Sequence, residues 1–345
     1  MRIDVSGFAL MLLWLGSSLI SCVSPSINPP LTNTEKIKSE ENELGEKLSK
    51  ANQYARDGLI REASEAYKSI LTSNPDFFPA RRNLGIVLVK AGEFDAAIVH
   101  LEKASPSYRD DFDLSFYLGE AYRAKDMYGD AAFRYNMALR ANPKDVKTMK
   151  ALAWTYYKMR FYSESLAYSQ KLAGLAPKDE QVPVIVARVL IKLKREDDAL
   201  KLIRRQTTSV SIANRPSYRT VEGEALLSKG KPVESIASFR AALKEQPLAA
   251  GALLGIGKAF IAQGKLKDAV EPLERATRLK PRMFEGFYLL GLALEKSQPQ
   301  RALKNFAHFR RNASTDPEFV ASIQDAKSRI ALLKSSSSLN SLSEP

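Results

Sequence analysis

The polar and apolar positions of this chain fall into three stretches of unlike pattern. Val5 to Ile20 is an uncharged, largely apolar run. From Cys22 to about Glu43 the residues are mainly Pro, Asn, Thr, Ser and alternating charges, with few apolar positions. Such a stretch cannot support a core, so residues 22–43 read as a solvated tether. Beyond it, small and apolar residues return in a repeating pattern. Pro75, Pro143, Pro177, Pro247 and Pro281 lie 68, 34, 70 and 34 residues apart, multiples of 34 apart from two extra residues in the third interval. Before the prolines the same small and aromatic positions recur, so that "LGEAYRAKDMYGDAAFRYNMALRANP" and "IGKAFIAQGKLKDAVEPLERATRLKP" align without gaps. A period of this length predicts stacked helix pairs, none of which can bury its apolar face alone.

Eight units start near residues 44, 78, 112, 146, 180, 216, 250 and 284. Gly85, Gly119, Gly223, Gly257 and Gly291 fall inside first helices, where Gly costs up to about 1 kcal/mol against Ala; close helix approach is the expected compensation. Second helices are expected to answer with Ala63, Ala97, Ala131, Ala199 and Ala269, while Tyr54, Tyr67, Tyr122, Tyr135 and Phe260 fill the remaining core. Proline closes a unit because it cannot continue the hydrogen-bond ladder. The unit from about residue 180 departs from the pattern. It lacks the closing proline, "RRQTTSVSIANRPSYRT" replaces the tight turn, and Glu222 occupies a usually apolar position. The stack is therefore expected to divide into residues 44–213, with about five units, and 214–316, with about three, and to be softest between Gln206 and Ser217. At the end, Phe319, Ile323, Ala326, Ile330 and Leu333 recur at spacings of 4, 3, 4 and 3, which predicts an amphipathic capping helix over 317–334. The serine-rich residues 335–345 read as a disordered tail.

The pattern resembles tetratricopeptide repeats, which carry an apolar-Gly pair, an aromatic three residues on, then Ala, an aromatic, Ala and a closing Pro. Leu118, Gly119, Tyr122, Ala131, Tyr135, Ala138 and Pro143 fill it in one unit; Ile256, Gly257, Phe260, Ala269, Leu273, Ala276 and Pro281 fill it in another. The resemblance implies an all-α, right-handed superhelical solenoid of about eight helix-turn-helix repeats with a C-terminal capping helix. It also implies that first helices line a concave groove for protein or peptide partners. The lining positions hold the basic residues Arg82, Lys90, Arg123, Lys150, Lys158, Arg188 and Lys192, with Phe116, Trp154 and Tyr157 among them, and acids only at Asp113 and Glu120 in the same four units. An acidic segment is the partner expected there. Ile86 stands where carboxylate-clamping members of the family have Asn, so an internal segment fits better than a free C-terminus.

Charge strengthens this expectation. The chain has 52 Lys and Arg against 39 Asp and Glu, a net charge of +13, which favours anionic partners. Nucleic acid is not expected, because no helix-turn-helix or zinc-finger signature is present.

Cys22 is the single cysteine, so it cannot form an internal disulfide. The run before it is shorter than the roughly 20 residues that cross a bilayer and suits a signal-peptide core, although Asp4 accompanies Arg2 ahead of it. Leu19-Ile20-Ser21-Cys22 resembles a lipobox, which implies removal of residues 1–21 and lipidation of Cys22. Each buried methylene adds roughly 0.8 kcal/mol, so two or three acyl chains would hold the protein on a membrane. Val23 after the cysteine resembles the pattern sorted to the periplasmic face of a bacterial outer membrane.

Catalytic constellations are not apparent. His100 and His308 have no partner at ligand spacing, and "GIGKAF" departs from a dinucleotide fingerprint at Phe260. No enzyme activity, cofactor, metal or small-molecule substrate is expected. The expectation is a membrane-anchored, protein-binding scaffold, an assembly or accessory factor of a bacterial envelope, secretion or pilus system. An envelope adaptor for cell-wall glycan enzymes fits the same features, as does a cytoplasmic co-chaperone if the lipobox is false.

Overall fold

The computed structural model describes residues 33–108, 110–313 and 319–342. The signal run, Cys22 and the first part of the tether lie outside the described residues. Eight helix pairs follow one another: α1 (Asn33–Arg56) with α2 (Ile60–Ser73), α3 (Phe78–Ala91) with α4 (Phe94–Ala104), α5 (Phe112–Ala124) with α6 (Tyr128–Ala141), and α7 (Val146–Lys158) with α8 (Tyr162–Leu175). Then come α9 (Val182–Lys192) with α10 (Glu196–Thr207), α11 (Arg215–Ser228) with α12 (Pro232–Glu245), α13 (Ala250–Ala262) with α14 (Leu266–Leu279), and α15 (Phe284–Leu294) with α16 (Pro299–Asn312). A final helix, α17 (Val320–Leu342), covers the end. Each helix packs on the next along the chain, so the described residues form an all-helical solenoid.

Local chemistry accounts for the boundaries. The turns inside the first seven pairs each carry one residue in the left-handed region, such as Gly58 (φ 76°) in the first unit and Asp126 (φ 59°) in the third. Asp111 and Asp145 open α5 and α7 by accepting hydrogen bonds from the backbone N–H groups of Leu114 and Thr148 (2.7 and 2.6 Å), groups that no preceding turn can satisfy.

The glycines do allow close packing, but alanines are not what meets them. The gap over each glycine is filled by the bulky residue four places beyond the expected alanine position. A Cβ on Gly85 would lie 2.5 Å from Leu101 Cγ, and one on Gly119 would lie 2.7 Å from Tyr135 Cε1. Phe239, fully buried, is wedged between two glycines of successive first helices: the added Cβ would come within 2.6 Å of its ring from Gly223 and within 2.3 Å from Gly255. Ala97 and Ala131 are themselves fully buried, at the preceding turn of the same second helices.

Side-chain contacts span the long connection at the junction between the fifth and sixth units. Val210 is buried there in one core with Ile203, Tyr218 and Val221, which continues across the long connection. Glu180, in the turn before α9, accepts hydrogen bonds from Ser211 N–H (2.9 Å), from Ser211 Oγ and from Asn214 Nδ2 (2.8 Å), and Tyr218 OH donates to its backbone carbonyl (2.8 Å). Glu222, at its usually apolar position, accepts from Arg204 Nε at 2.7 Å. Softness between Gln206 and Ser217 is therefore conditional on Glu180. Glu180→Ala is expected to speed proteolytic cutting at residues 208–214, where Ile212 is exposed, relative to the parent chain. Equal cutting rates for the two chains would show that the carboxylate does not hold the connection.

Both ends are more helical than the polar sequence suggests. Helix α1 starts at Asn33, inside the expected tether, and its exposed charges include a Glu43–Lys47 pair one turn apart (2.6 Å). Helix α17 continues to Leu342, into the expected tail. Its Ala326, Ile330 and Leu333 are buried against Leu294, Phe306 and Phe309, and Tyr288 OH donates to Asp325 at 2.8 Å.

Candidate functional site

First helices α3, α5, α7 and α9 carry the positions expected to line the groove, and the structure sorts them into three kinds. Phe116 is buried, 4% exposed, parallel to Phe112 (ring centroids 6.0 Å apart) and tilted against Tyr135 (6.1 Å). It is a core residue and not a groove contact, because the large rings of α5 and α6 interlock there and draw its face inward.

Four of the basic residues are held by acids of this chain. Arg82 places Nε and Nη2 on Asp111 at 2.9 and 2.8 Å, with Asp113 at 3.2 Å. Burial works against its charge, but the two carboxylates outweigh it and raise its pKa. Lys150 pairs with Asp179, and Arg188 pairs with Glu224 at 3.2 Å. Arg123 pairs with Glu120 at 2.7 Å and donates to Tyr135 OH at 3.2 Å, while Tyr135 OH donates to Glu120. Burial pushes the Glu120 pKa up, and the Arg123 and Tyr135 contacts more than reverse this, leaving it below the ordinary value. Counting acids only at the groove positions found Asp113 and Glu120. Asp111 and Asp179 come from turns and Glu224 from a later unit, so three of these pairs tie one part of the stack to the next.

Four other lysines of these helices instead lie over aromatic rings. Lys90 is 5.8 Å from the centroid of Tyr117, Lys147 is 4.7 Å from Phe116, Lys158 is 5.8 Å from Tyr128, and Lys192 is 5.9 Å from Tyr157. Tyr157 also meets Tyr162 edge to face at 5.7 Å. Trp154 is 39% exposed; it meets Tyr128 edge to face at 5.7 Å and lies 5.5 Å from the Arg123 guanidinium.

Trp154, Tyr128, Arg123 and Lys158 form one wall of a cavity of about 410 Å³. The facing wall comes from Arg282, Phe284, Glu285 and Phe319, from the turn before α15, the first turn of α15 and just before α17. The repeat pattern contains no signal for this facing wall, since the curvature of the whole stack brings the two walls together. A second cavity, of about 480 Å³, lies beside Arg82 and Lys90. There Asn52 Oδ1 accepts from Tyr67 OH (2.6 Å) and from Asn83 Nδ2 (2.8 Å), a half-buried polar crossing that sequence reasoning missed. His100 and His308 lie outside both cavities; His308 packs 4.1 Å from the Phe287 ring centroid. Among the described residues no group of three or more His, Cys, Asp or Glu is placed to hold a metal ion, and no helix is long and apolar enough to cross a membrane.

Comparison with known proteins agrees with this geometry. Residues 54–115 and 220–284 match two tetratricopeptide-repeat family models, and residues 124–206 match the model of anaphase-promoting complex, cyclosome, subunit 3. The BBSome complex member BBS4 of Bos taurus is 21% identical over 300 residues, which cover 82% of this chain and 57% of the relative. Its Drosophila melanogaster homolog is 25% identical over 271 residues, covering 73% and 55%. The chain thus spans about half the length of the curated relatives it matches. Among solved structures, a tetratricopeptide repeat protein from Parabacteroides merdae superposes with a TM-score of 0.63 at 16% identity, covering 73% of this chain and 98% of its own. Yeast Tom70 superposes at 0.60 and 16% identity, covering 81% and 60%. The fold is a tetratricopeptide-repeat superhelical solenoid. Proteins of this class are typically scaffolds that bind peptides or other proteins rather than enzymes.

Proposed function

We propose that the protein is a lipid-anchored scaffold of a bacterial envelope, held on the membrane through Cys22, whose concave groove binds segments of other proteins and assists assembly of an envelope, secretion or pilus machine. The observation that carries the binding surface is Trp154, an exposed indole beside the Arg123 guanidinium on the groove wall. Tryptophan and arginine are enriched among binding hot spots. An acidic segment is the partner this surface suits. Lys90 and Lys147 are exposed and rest on rings, a contact worth about 0.5–1 kcal/mol at such sites. A partner carboxylate can therefore recruit them without breaking the ion pairs that tie the stack.

The test is crosslinking in cells followed by membrane fractionation and identification of the captured proteins. Trp154→Ala is expected to weaken partner binding by about 2 kcal/mol or more, which removes most of the captured material. Lys265→Ala, exposed and on neither cavity, is expected to leave it unchanged. Equal recovery by the two variants would place the binding surface elsewhere. Cys22→Ser is expected to leave the fold intact and abolish membrane retention of processed protein; an unmodified Cys22 in the mature chain would overturn the anchor.

A further inference from the structure

The cavity beneath Trp154 takes its two walls from distant parts of the stack: the third and fourth units on one side, and the junction of the seventh and eighth units with Phe319 on the other. We infer that it is a two-walled clamp that grips an extended acidic segment of a partner protein, with an aromatic or aliphatic residue beside the carboxylates. This rests on the groove-binding reading above and adds the place, the second wall and the chemistry of the occupant.

Charge and shape both point to that occupant. Tyr128, Trp154, Phe284 and Phe319 bring aromatic surface to the cavity from both walls. Three cations reach it, Arg123, Lys158 and Arg282, against two carboxylates. Both carboxylates are already engaged: Glu285 pairs with Lys258 at 2.7 Å, and Asp126 accepts a hydrogen bond from Tyr128 OH at 2.6 Å. Arg282 is exposed and makes no ion pair among the described residues. Arg123 is itself held by Glu120, so an entering carboxylate meets Arg282 first, on a rim where the acids are occupied, and an entering basic segment would face like charge. The volume is that of a small-ligand pocket, with room for a few side chains of an extended segment and not for a folded domain. Because the walls belong to different units, a bound segment ties the middle of the solenoid to its C-terminal end.

The experiment uses the full chain in detergent with Trp14→Phe, which leaves Trp154 as the remaining indole of the two. The probe is a random 4:1 glutamate–tyrosine copolymer, with a 4:1 lysine–tyrosine copolymer as its opposite, and the readout is Trp154 fluorescence during titration. The glutamate copolymer is expected to change the Trp154 signal and the lysine copolymer to leave it unchanged. Arg282→Glu, on the far wall, is expected to weaken binding on the order of tenfold, with Lys304→Glu, an equal charge change on α16 away from the cavity, weakening it less than about twofold. Equal weakening by the two variants would overturn the clamp in favour of diffuse attraction to a basic protein, while leaving the scaffold reading intact. No Trp154 response to the glutamate copolymer, or the same response to both copolymers, would overturn the acidic occupant. The scaffold reading itself falls only on the crosslinking comparison of Trp154→Ala with Lys265→Ala, so the two failures are distinguishable.

Discussion

Phe239→Ala is expected to destabilise the solenoid by about 3–5 kcal/mol, measured as a fall in the midpoint of denaturant unfolding at constant slope. The ring is fully buried and fills the space left by two glycines, Gly223 on α11 and Gly255 on α13. Its removal opens a cavity bounded by three helices whose backbones are already close, so relaxation can recover little. A typical domain has only about 5–15 kcal/mol of stability, so this single ring decides much of the cohesion between the sixth and seventh units. The converse substitution tests the same geometry. Gly255→Ala puts a methyl group within 2.6 Å of three ring atoms, and overpacking of this kind costs about 1–3 kcal/mol, which outweighs the gain of up to about 1 kcal/mol in helix propensity. Val233→Ala, on the same second helix at 71% exposure, is expected to change stability by less than about 0.5 kcal/mol. A Phe239→Ala effect as small as that of Val233→Ala would contradict the wedge.

Glu120→Ala is expected to cost about 2–3 kcal/mol, because it strands two groups at once. The Arg123 guanidinium loses its carboxylate at 2.7 Å and the buried Tyr135 hydroxyl loses its acceptor. The effect is set below that of a fully buried pair because Glu120 and Arg123 retain 23% and 33% side-chain exposure. The sign of the pH dependence follows from the depressed pKa of Glu120. A carboxylate whose folded pKa lies below its unfolded value, about 4.3 for glutamate, contributes stability that is fully present above that value and is lost as pH falls through the folded pKa. The stability difference between the parent and Glu120→Gln is therefore expected to be constant above about pH 5 and to shrink below about pH 4. A difference that does not change down to pH 3 would show that Glu120 is not the group that titrates. The same triad sets the posture of Trp154, whose face lies against Arg123, so Glu120→Gln is also expected to weaken capture of partners by the groove.

The repeat architecture was legible in the chain because its causes are local. A closing proline, a left-handed turn residue and a small residue facing a large one act within about 34 residues, and each leaves a mark at fixed spacing. The eight helix pairs accordingly begin at or close to the positions that the spacing predicts, apart from α1, which starts earlier. The mistaken pairing of glycine with alanine had a similar origin. Both residue types are small and periodic, but helix rotation, which spacing does not report, turns Leu101, Tyr135 and Phe239 toward the glycines.

The groove was legible only in part. Phe116 and Trp154 both occupy expected lining positions, yet one is buried by neighbouring rings and the other stands 39% exposed. Arg82, Lys150 and Arg188 read as charge available to a partner until their own acids are found 29 and 36 residues further along the chain.

The sequence by itself determined the helical repeat, its period, its end cap and a basic excess in the groove-lining positions, since these follow from steric and compositional facts that each unit carries alone. Tertiary structure decided which cations are spent on holding the stack, which aromatic faces solvent, and that Arg282, Phe284 and Phe319 come to face Trp154. These outcomes depend on the summed rotation of several units, a quantity to which every helix contact contributes a little and which no short stretch of residues specifies.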